Sequence, residues 1–403
     1  MYVSRALRPV LDHALASFPC VLVTGPRQSG KTTFLRNEAG ERFAYLSLDD
    51  PLERSFATTD PVGFLDRFAG RPVVLDEIQH TPALLPYVKM RIDASPQQAG
   101  RWLLTSSQQF ELMRNVSESL AGRVAILELL PFSRLEHPHA TLEEAVWLGG
   151  YPVPALHADR RDLWVSGYLR TYLERDLRQL QNVHDLHTFE RFLELCAARH
   201  GQTFGRAALA REIGISEPTV KAWGDILQAS YVSYLLRPFY QNYGKRVVKT
   251  PKLYFRDPAL ACALTRQPSG AAAIAGPMGG ALLEGWVVGE AVKVFAVAGR
   301  KADIFFWRSH DGLEIDLIVQ VGRRLQPVEV KLTATPTVGH IAALEKFKAL
   351  AGEDVRREGW VVCRVAEERA LPGGNVAVPW HGFAHKLHQL LELNGEDSPH
   401  FSP

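Results

Sequence analysis

The chain has 403 residues, 46% of them hydrophobic and 22% charged, with a formal net charge of +2. This composition suits two or three globular domains with sizeable cores and excludes a chain that is disordered throughout. It also excludes attraction to nucleic acid through bulk charge, so any basic surface must be local.

The first helix-like stretch carries Arg5, Arg8, Asp12 and His13, which interrupt the apolar core that a signal peptide would need. The run "CVLV" from Cys20 predicts a buried strand, and "KTTFLRN" from Lys31 predicts a helix. Between them, "TGPRQSGKTT" forms a G-x-x-x-x-G-K-T loop with Gly25, Gly30, Lys31 and Thr32 in register. In such a loop the glycines let backbone N–H groups turn inward around phosphate oxygens. The lysine supplies charge to the β- and γ-phosphates, and the threonine offers its hydroxyl to magnesium. The following helix adds its positive dipole end. Gly25, Pro26, Arg27, Gln28, Ser29, Gly30, Lys31, Thr32 and Thr33 are therefore the expected ATP-binding residues.

Phosphoryl transfer also needs a carboxylate at the end of a neighbouring strand. "RPVVLDEIQ" at 71–79 provides Asp76 for the magnesium shell, alongside Thr32, and Glu77 as the base that polarises attacking water. "RWLLTSSQQF" at 101–110 predicts a further strand that presents Ser107 or Gln108 toward the γ-phosphate. Arg123, in "SESLAGRVAILELL", is a candidate catalytic arginine that senses the γ-phosphate or reaches a neighbour's nucleotide; a surface arginine is the alternative.

Past residue 150 the alternation of strands and helices gives way to helical periodicity, so 1–150 is expected to be the nucleotide domain and 151–200 a helical linker. "AALAREIGISEPTVKAWGDIL" at 207–227 reads as helix, turn at Gly214, and a second helix capped by Ser216. Pro218 sits in its first turn, and Val220, Trp223 and Leu227 face inward. The alternating stretch that follows completes a winged helix over 201–256. Lys245, Arg246, Lys249 and Lys252, interleaved with Tyr243 and Tyr254, are its candidate DNA contacts; a structural or protein-docking role is the alternative.

The stretch 271–299 contains Glu284, Glu290 and Lys293, which with Pro277 and several glycines argue for a soluble helix and its lead-in rather than a membrane span. "DIFFWRSHDGLEIDLIVQV" and "RLQPVEVKLT" predict paired strands carrying Asp316, Glu329 and Lys331. Glu329 and Lys331 are two apart and so share a face. Two carboxylates and a lysine make a candidate magnesium and nuclease site, with Glu284 completing the shell; solvated charges on an amphipathic sheet are the alternative. This domain is expected over 257–392, with a frayed polar tail at 393–403. The four cysteines form no C-x-x-C pair, which fits a reducing cytoplasm without a zinc or disulfide framework.

Taken in order, "GPRQSGKTT", "VVLDEIQ", "LTSSQQFELM", "SLAGRVAILELLPFS", "GGYPVP", "GISEPTVKAW", "KTPKLYFRDPALACAL", "FFWRSHDGLEIDLIV" and "PVEVKLT" resemble a family of prokaryotic AAA-type P-loop ATPases. Members carry a C-terminal domain of unknown function with a winged helix and a PD-(D/E)xK endonuclease-like core. The resemblance extends from about residue 5 to 385. It implies an α/β fold class: an N-terminal P-loop AAA-type domain, a helical and winged-helix middle, and a restriction-endonuclease-like α/β core. It also implies ATP and Mg2+ as cofactors, a cytoplasmic setting and, by analogy with AAA-type rings, a homo-oligomer. Two positions depart from the family pattern: Ser106 stands where glycine is frequent, and Ile315 stands where a proline precedes the aspartate.

Three functions follow from these residues. The first is an ATPase whose nucleotide state controls the C-terminal domains on DNA. The second is an ATP-regulated, magnesium-dependent nuclease. The third is a nucleotide-dependent protein-binding module with a degenerate nuclease site.

Overall fold

The computed structural model describes residues 2–107, 116, 118–179, 186–239, 250–309 and 311–393, with only the backbone described at 172–179. The chain divides into two compact units, Met1–Phe132 with Ala296–Arg300, and Ser133–Phe295 with Lys301–Pro403. The division after Phe132 precedes the boundary expected at residue 150.

In the first unit, helix α1 (Arg8–Ser17) leads into β1 (Cys20–Thr24), α2 (Lys31–Ala39) and β2 (Ala44–Ser47). Then come β3 (Val73–Asp76), α3 (Leu85–Ala94), β4 (Trp102–Ser106) and β5 (Val124–Glu128). The five strands form one parallel sheet in the order β2-β3-β4-β1-β5. Along β1, Cys20 and Leu22 enter the apolar layer on one face, while Val21 and Val23 enter the layer on the other. A parallel sheet covered on both faces needs such an unbroken apolar run, which is why "CVLV" does not alternate with polar residues.

Because the strands are parallel, their C-terminal ends share one edge, where open α/β sheets bind their ligands. β4 lies between β1 and β3, so Thr105 and Ser106 come up beside the glycine loop on one side and Asp76 on the other. The loop leaves β1 through Gly25, at φ +149°, where an added Cβ would lie 2.2 Å from the carbonyl oxygen of Leu129. That approach is held by the Leu129 N–H donating to the Thr24 carbonyl at 2.8 Å.

The second unit begins with helices, among them α4 (Arg161–Gln179), α5 (Leu186–Ala198), α6 (Arg206–Ile213) and α7 (Glu217–Ala229), with the short β6 (Gln202–Thr203) before α6. Gly214 ends α6 at φ +85°, and the N–H groups of Gly214 and Ile215 both donate to the Ala210 carbonyl. The left-handed glycine closes the helix without a Cβ penalty. Ser216 caps α7, its hydroxyl accepting the Thr219 N–H at 3.2 Å. Val220, Trp223 and Leu227 are buried, with Trp223 edge-on to Phe189 and Phe192 of α5.

The chain then forms the hairpin β7 (Ser233–Pro238) and β8 (Lys252–Phe255), the long α8 (Gly279–Val297), and the antiparallel β9 (Ile304–Arg308), β10 (Glu314–Val321) and β11 (Arg324–Val330). It ends with α9 (Ala342–Ala351), β12 (Trp360–Cys363), β13 (Arg369–Leu371), β14 (Asn375–Pro379) and α10 (Phe383–Leu393). Among the described residues of this unit, the nine strands join one sheet, ordered β13-β14-β12-β11-β10-β9-β7-β8-β6. The hairpin expected to close a separate 201–256 module thus continues the C-terminal sheet, since β7 pairs in parallel with β9 through Arg237 and Pro238. An unpaired strand edge is costly, and β9 covers the edge that β7 leaves.

No helix of the described residues is long and apolar enough to cross a membrane. The charges of α8 are used inside the fold: Lys293 Nζ lies 2.9 Å from Glu290 Oε1, and Glu290 Oε2 accepts the Arg134 N–H at 2.8 Å. Gly285 on the same helix faces His200, whose Nε2 would lie 1.9 Å from an added Cβ, while His200 Nδ1 accepts the Phe255 N–H at 3.1 Å. Burial pushes the His200 imidazole down to about 4, so it stays neutral at physiological pH. Gly285→Ala is therefore expected to destabilise the protein by about 2–3 kcal/mol through overpacking against a fixed ring, measurable as a lower midpoint of urea unfolding.

Candidate functional site

The glycine loop joins the C-terminal end of β1 to the first turn of α2. Gln28 adopts φ +60° and Gly30, at the N-cap of α2, φ +93°. Two left-handed residues so close together curl the segment back on itself. Lys31 opens the helix, is 4% exposed, and donates from Nζ to the carbonyls of Gly25 at 3.0 Å and Pro26 at 2.8 Å. Burial pushes its ammonium down to about 8, against a smaller opposing pull from Glu77 and Asp76.

Asp76, at the end of β3, is nearly inaccessible and accepts three hydroxyls. Thr32 Oγ1 donates to its Oδ2 at 2.8 Å, the Tyr45 phenol donates to the same oxygen, and Thr105 Oγ1 donates to Oδ1. Burial, and then the hydrogen bond to Asp76, raise the Tyr45 phenol well above its ordinary value, so it remains a donor. The next residue, Glu77, is left-handed at φ 59° and ψ 49°. A non-glycine residue in that region is uncommon and concentrates at functional sites. Its N–H donates to Thr105 Oγ1 at 2.8 Å. One threonine hydroxyl therefore accepts from Glu77 and donates to Asp76, which fixes its proton.

The Glu77 carboxylate is also held: Ser107 Oγ donates to Oε2 at 2.8 Å, and the Gln79 amide donates to the same oxygen and to Ser107 Oγ at 3.2 Å. The Thr32 hydroxyl beside a buried carboxylate is an oxygen donor pair suited to Mg2+. The buried Ser29 hydroxyl, without a hydrogen-bond partner among the described residues, fits a loop shaped for an oxygen-rich ligand.

Two other expected members of this site fare differently. Gln108 lies outside the described residues. Arg123 is not brought to the loop: it immediately precedes β5, beside the N-terminal end of β1, and its Nε pairs with Asp93 Oδ1 at 2.6 Å. A five-residue strand separates it from the loop edge by roughly 16 Å, so it cannot sense a phosphate held by the loop of its own chain. The parallel connection is the reason, because a residue that precedes a strand comes out at the edge opposite the ligand.

The second constellation lies in the other unit. Glu284 from α8, Glu314 and Asp316 from β10, Glu329 from β11 and Lys331 just beyond it converge. Lys331 Nζ lies 2.5 Å from Glu329 Oε1 and 3.5 Å from Asp316 Oδ2, which also accepts the Val330 N–H at 2.9 Å. The pairing of β10 with β9 shifts register between Ile315 and Ile318, so Asp316 sits in an irregularity that re-aims it. Burial, reinforced by the Asp316 charge, raises the Glu284 carboxyl to about 7 and Glu329 to about 8.

Lys252 requires a correction. Expected on an exposed basic wing, it is 4% exposed and its ammonium pairs with Glu284, Glu314 and Asp316. The reason is the continuous sheet, which turns the start of β8 toward α8 and β10. Lys245, Arg246 and Lys249 lie outside the described residues. Sequence reasoning also passed over Glu314, although its two-residue spacing from Asp316 was a usable signal, and over Tyr45, Thr105 and Gln79, which carried none.

Comparison with known proteins follows the same division. Residues 17–137 match the AAA domain family, 139–270 a domain of unknown function (DUF8612), and 279–383 another (DUF4143). Two uncharacterized proteins, Rv2008c of Mycobacterium tuberculosis and Mb2031c of Mycobacterium bovis, are each 33% identical over 333 residues, covering 81% of this chain and 74% of theirs. This chain belongs to their family. Its N-terminal unit is an AAA-type P-loop domain.

Solved structures align more distantly. AMPPCP-bound DnaA from Aquifex aeolicus is 13% identical over 55% of this chain and 85% of its own, with a TM-score of 0.25. A chain of the Drosophila ORC structure bound to AT-rich DNA and Cdc6 is 12% identical over 65% and 91%, at 0.24. Protein VC1899 from Vibrio cholerae is 11% identical over 93% and 98%, at 0.23. Scores this low establish no shared overall arrangement.

Lys31 gives a pH test. Its folded value, about 8, lies below the 10.5 of a free lysine, so the unfolded chain binds the proton more tightly. Stability is then reduced below pH 8, and the loss is relieved as pH rises from 8 toward 10.5. Urea unfolding of the nucleotide-free protein at pH 7.5 and 9.5 is expected to show a rise of about 1–3 kcal/mol that Lys31→Met lacks.

Proposed function

We propose that the chain binds ATP with magnesium at the loop from Gly25 to Thr33 and hydrolyses it, and that the nucleotide state controls the helix-turn-helix and sheet of the second unit on DNA. The observation that carries this reading is the 2.8 Å hydrogen bond from Thr32 Oγ1 to Asp76 Oδ2, with Glu77 and Ser107 joined at the next strand end. It brings a hydroxyl and a carboxylate together at the loop, with a second carboxylate alongside.

In this reading the loop amides and Lys31 hold the phosphates, while Thr32 and Asp76 hold the magnesium, which neutralises charge on the transferred group when bound. The Lys31 ammonium donates to the carbonyls of Gly25 and Pro26 and has a third N–H to offer a phosphate oxygen. Glu77 orients the attacking water. Ser107, just past the end of β4, and Gln108 after it in sequence respond to the γ-phosphate. Arg123 acts only on a neighbouring copy's nucleotide, in a homo-oligomer. Lys245, Arg246 and Lys249, which follow the two helices in sequence, supply DNA contacts, and the setting is the cytoplasm.

Turnover of ATP by the full chain, with and without duplex DNA, tests the reading. Lys31→Ala is expected to abolish binding, whereas Glu77→Gln should retain ATP and lose about 100-fold or more in turnover. Thr105→Val, which removes the hydroxyl linking Asp76 to Glu77, is expected to lower kcat about tenfold with little change in nucleotide affinity. Wild-type turnover in the Glu77→Gln protein would remove Glu77 from the base role. For DNA, replacing Lys245, Arg246 and Lys249 by alanine should flatten the dependence of log binding on log salt by about 0.9 for each phosphate that is no longer neutralised. An unchanged slope would point to a protein partner.

A further inference from the structure

The acidic cluster of the second unit is where a magnesium-dependent nuclease would hold its metal. Glu284, Glu314 and Asp316 each offer an oxygen within 4.8 Å of the others, and the buried Glu329 Oε2 has no hydrogen-bond partner among the described residues. These donors alone would suit a hard divalent cation.

Lys252 stands among them. Its Nζ lies 2.7 Å from Glu284 Oε1 and 3.9 Å from Asp316 Oδ1, and it also pairs with Glu314, so one ammonium contacts all three carboxylates. It does not reach in from a loose surface loop. Its backbone is paired with Leu236 on one side and Thr203 on the other, its side chain is 6% exposed, and its ammonium lies 5.6 Å from the centre of the Phe306 ring. Two of the carboxylates take further donors: the Tyr254 phenol donates to the same Glu284 Oε1, and Asp316 Oδ2 accepts the Val330 N–H and pairs with Lys331.

We propose that Lys252 is the resident cation of this cluster, its ammonium holding the position between Glu284, Glu314 and Asp316 that a divalent ion would need. The expected nuclease residues are then a lysine-filled lock rather than a metal centre. A lysine enclosed by three carboxylates keeps its proton, so it is a poor base for activating water. A divalent ion could enter only by expelling a buried, sheet-anchored side chain. The lock bolts the first residue of β8, in the hairpin that follows the helix-turn-helix, to both α8 and β10.

The test uses the nucleotide-free full chain and Mn2+ alone, with bound ion read by electron paramagnetic resonance and by the shift in thermal midpoint. Wild type and Asp316→Asn are expected to bind Mn2+ indistinguishably. Lys252→Met, which keeps the stem and removes the charge, should gain one Mn2+ site about tenfold or more tighter than any in wild type, lost again when Asp316→Asn is added. A Mn2+ site in wild type that Asp316→Asn abolishes would overturn the proposal, as would a folded Lys252→Met protein that gains none. If Lys252→Met does not fold, the comparison of wild type with Asp316→Asn still decides.

Discussion

Asp76 is the point on which the first unit is organised. Its two carboxylate oxygens receive hydroxyls from Thr32 on α2, Tyr45 on β2 and Thr105 on β4, so one side chain at the end of β3 ties three other elements to it. A buried carboxylate without partners would be strongly disfavoured, and three donors make the burial tolerable. The arrangement depends on strand order. Only with β4 inserted between β1 and β3 can Thr105 reach Asp76 and the Glu77 N–H together. The left-handed backbone at Glu77 is held in place by that same hydroxyl. Thr32, Asp76, Thr105 and Glu77 are thus one hydrogen-bonded assembly, in which a change at Thr32 reaches Glu77 through two intermediate groups.

The second unit handles charge in a different way. Four carboxylates and two lysines meet in a small, partly buried cluster where α8, β8, β10 and β11 come together. Buried ion pairs seldom add net stability over apolar packing, yet breaking one leaves an uncompensated charge and is costly. Such a cluster specifies arrangement more than it adds energy: β8 can sit only where Lys252 finds its three carboxylates. The hairpin and the C-terminal strands are therefore joined twice, by the β7–β9 pairing and by this ion cluster.

Much of this was readable because it is local. The glycine loop, the turn at Gly214 and the Ser216 cap depend on residues within about five positions of one another, and glycine, serine and threonine carry their backbone consequences wherever they stand. Asp76 and Glu77 were readable because a buried apolar run must end at the sheet edge. Arg123 was legible in residue type but not in place: its position ahead of β5, rather than after it, sends it to the far edge of a parallel sheet. Lys252 read as one of four nearby cations, and nothing within its neighbourhood signalled burial. Its partners lie 32 to 64 residues further along the chain.

The sequence by itself determined the loop, the strand-end carboxylates, the turn between α6 and α7 and the AAA-type N-terminal domain, because each is written in contiguous residues whose conformational or chemical needs are short-range. Tertiary structure alone decided which charges meet. Coulombic and hydrogen-bonded pairing depends on distances of a few ångströms, and sheet order, not sequence spacing, sets those distances. That is why Thr105 rather than a residue of the loop links Asp76 to Glu77, and why a lysine expected on an outer surface lies among three carboxylates in the interior.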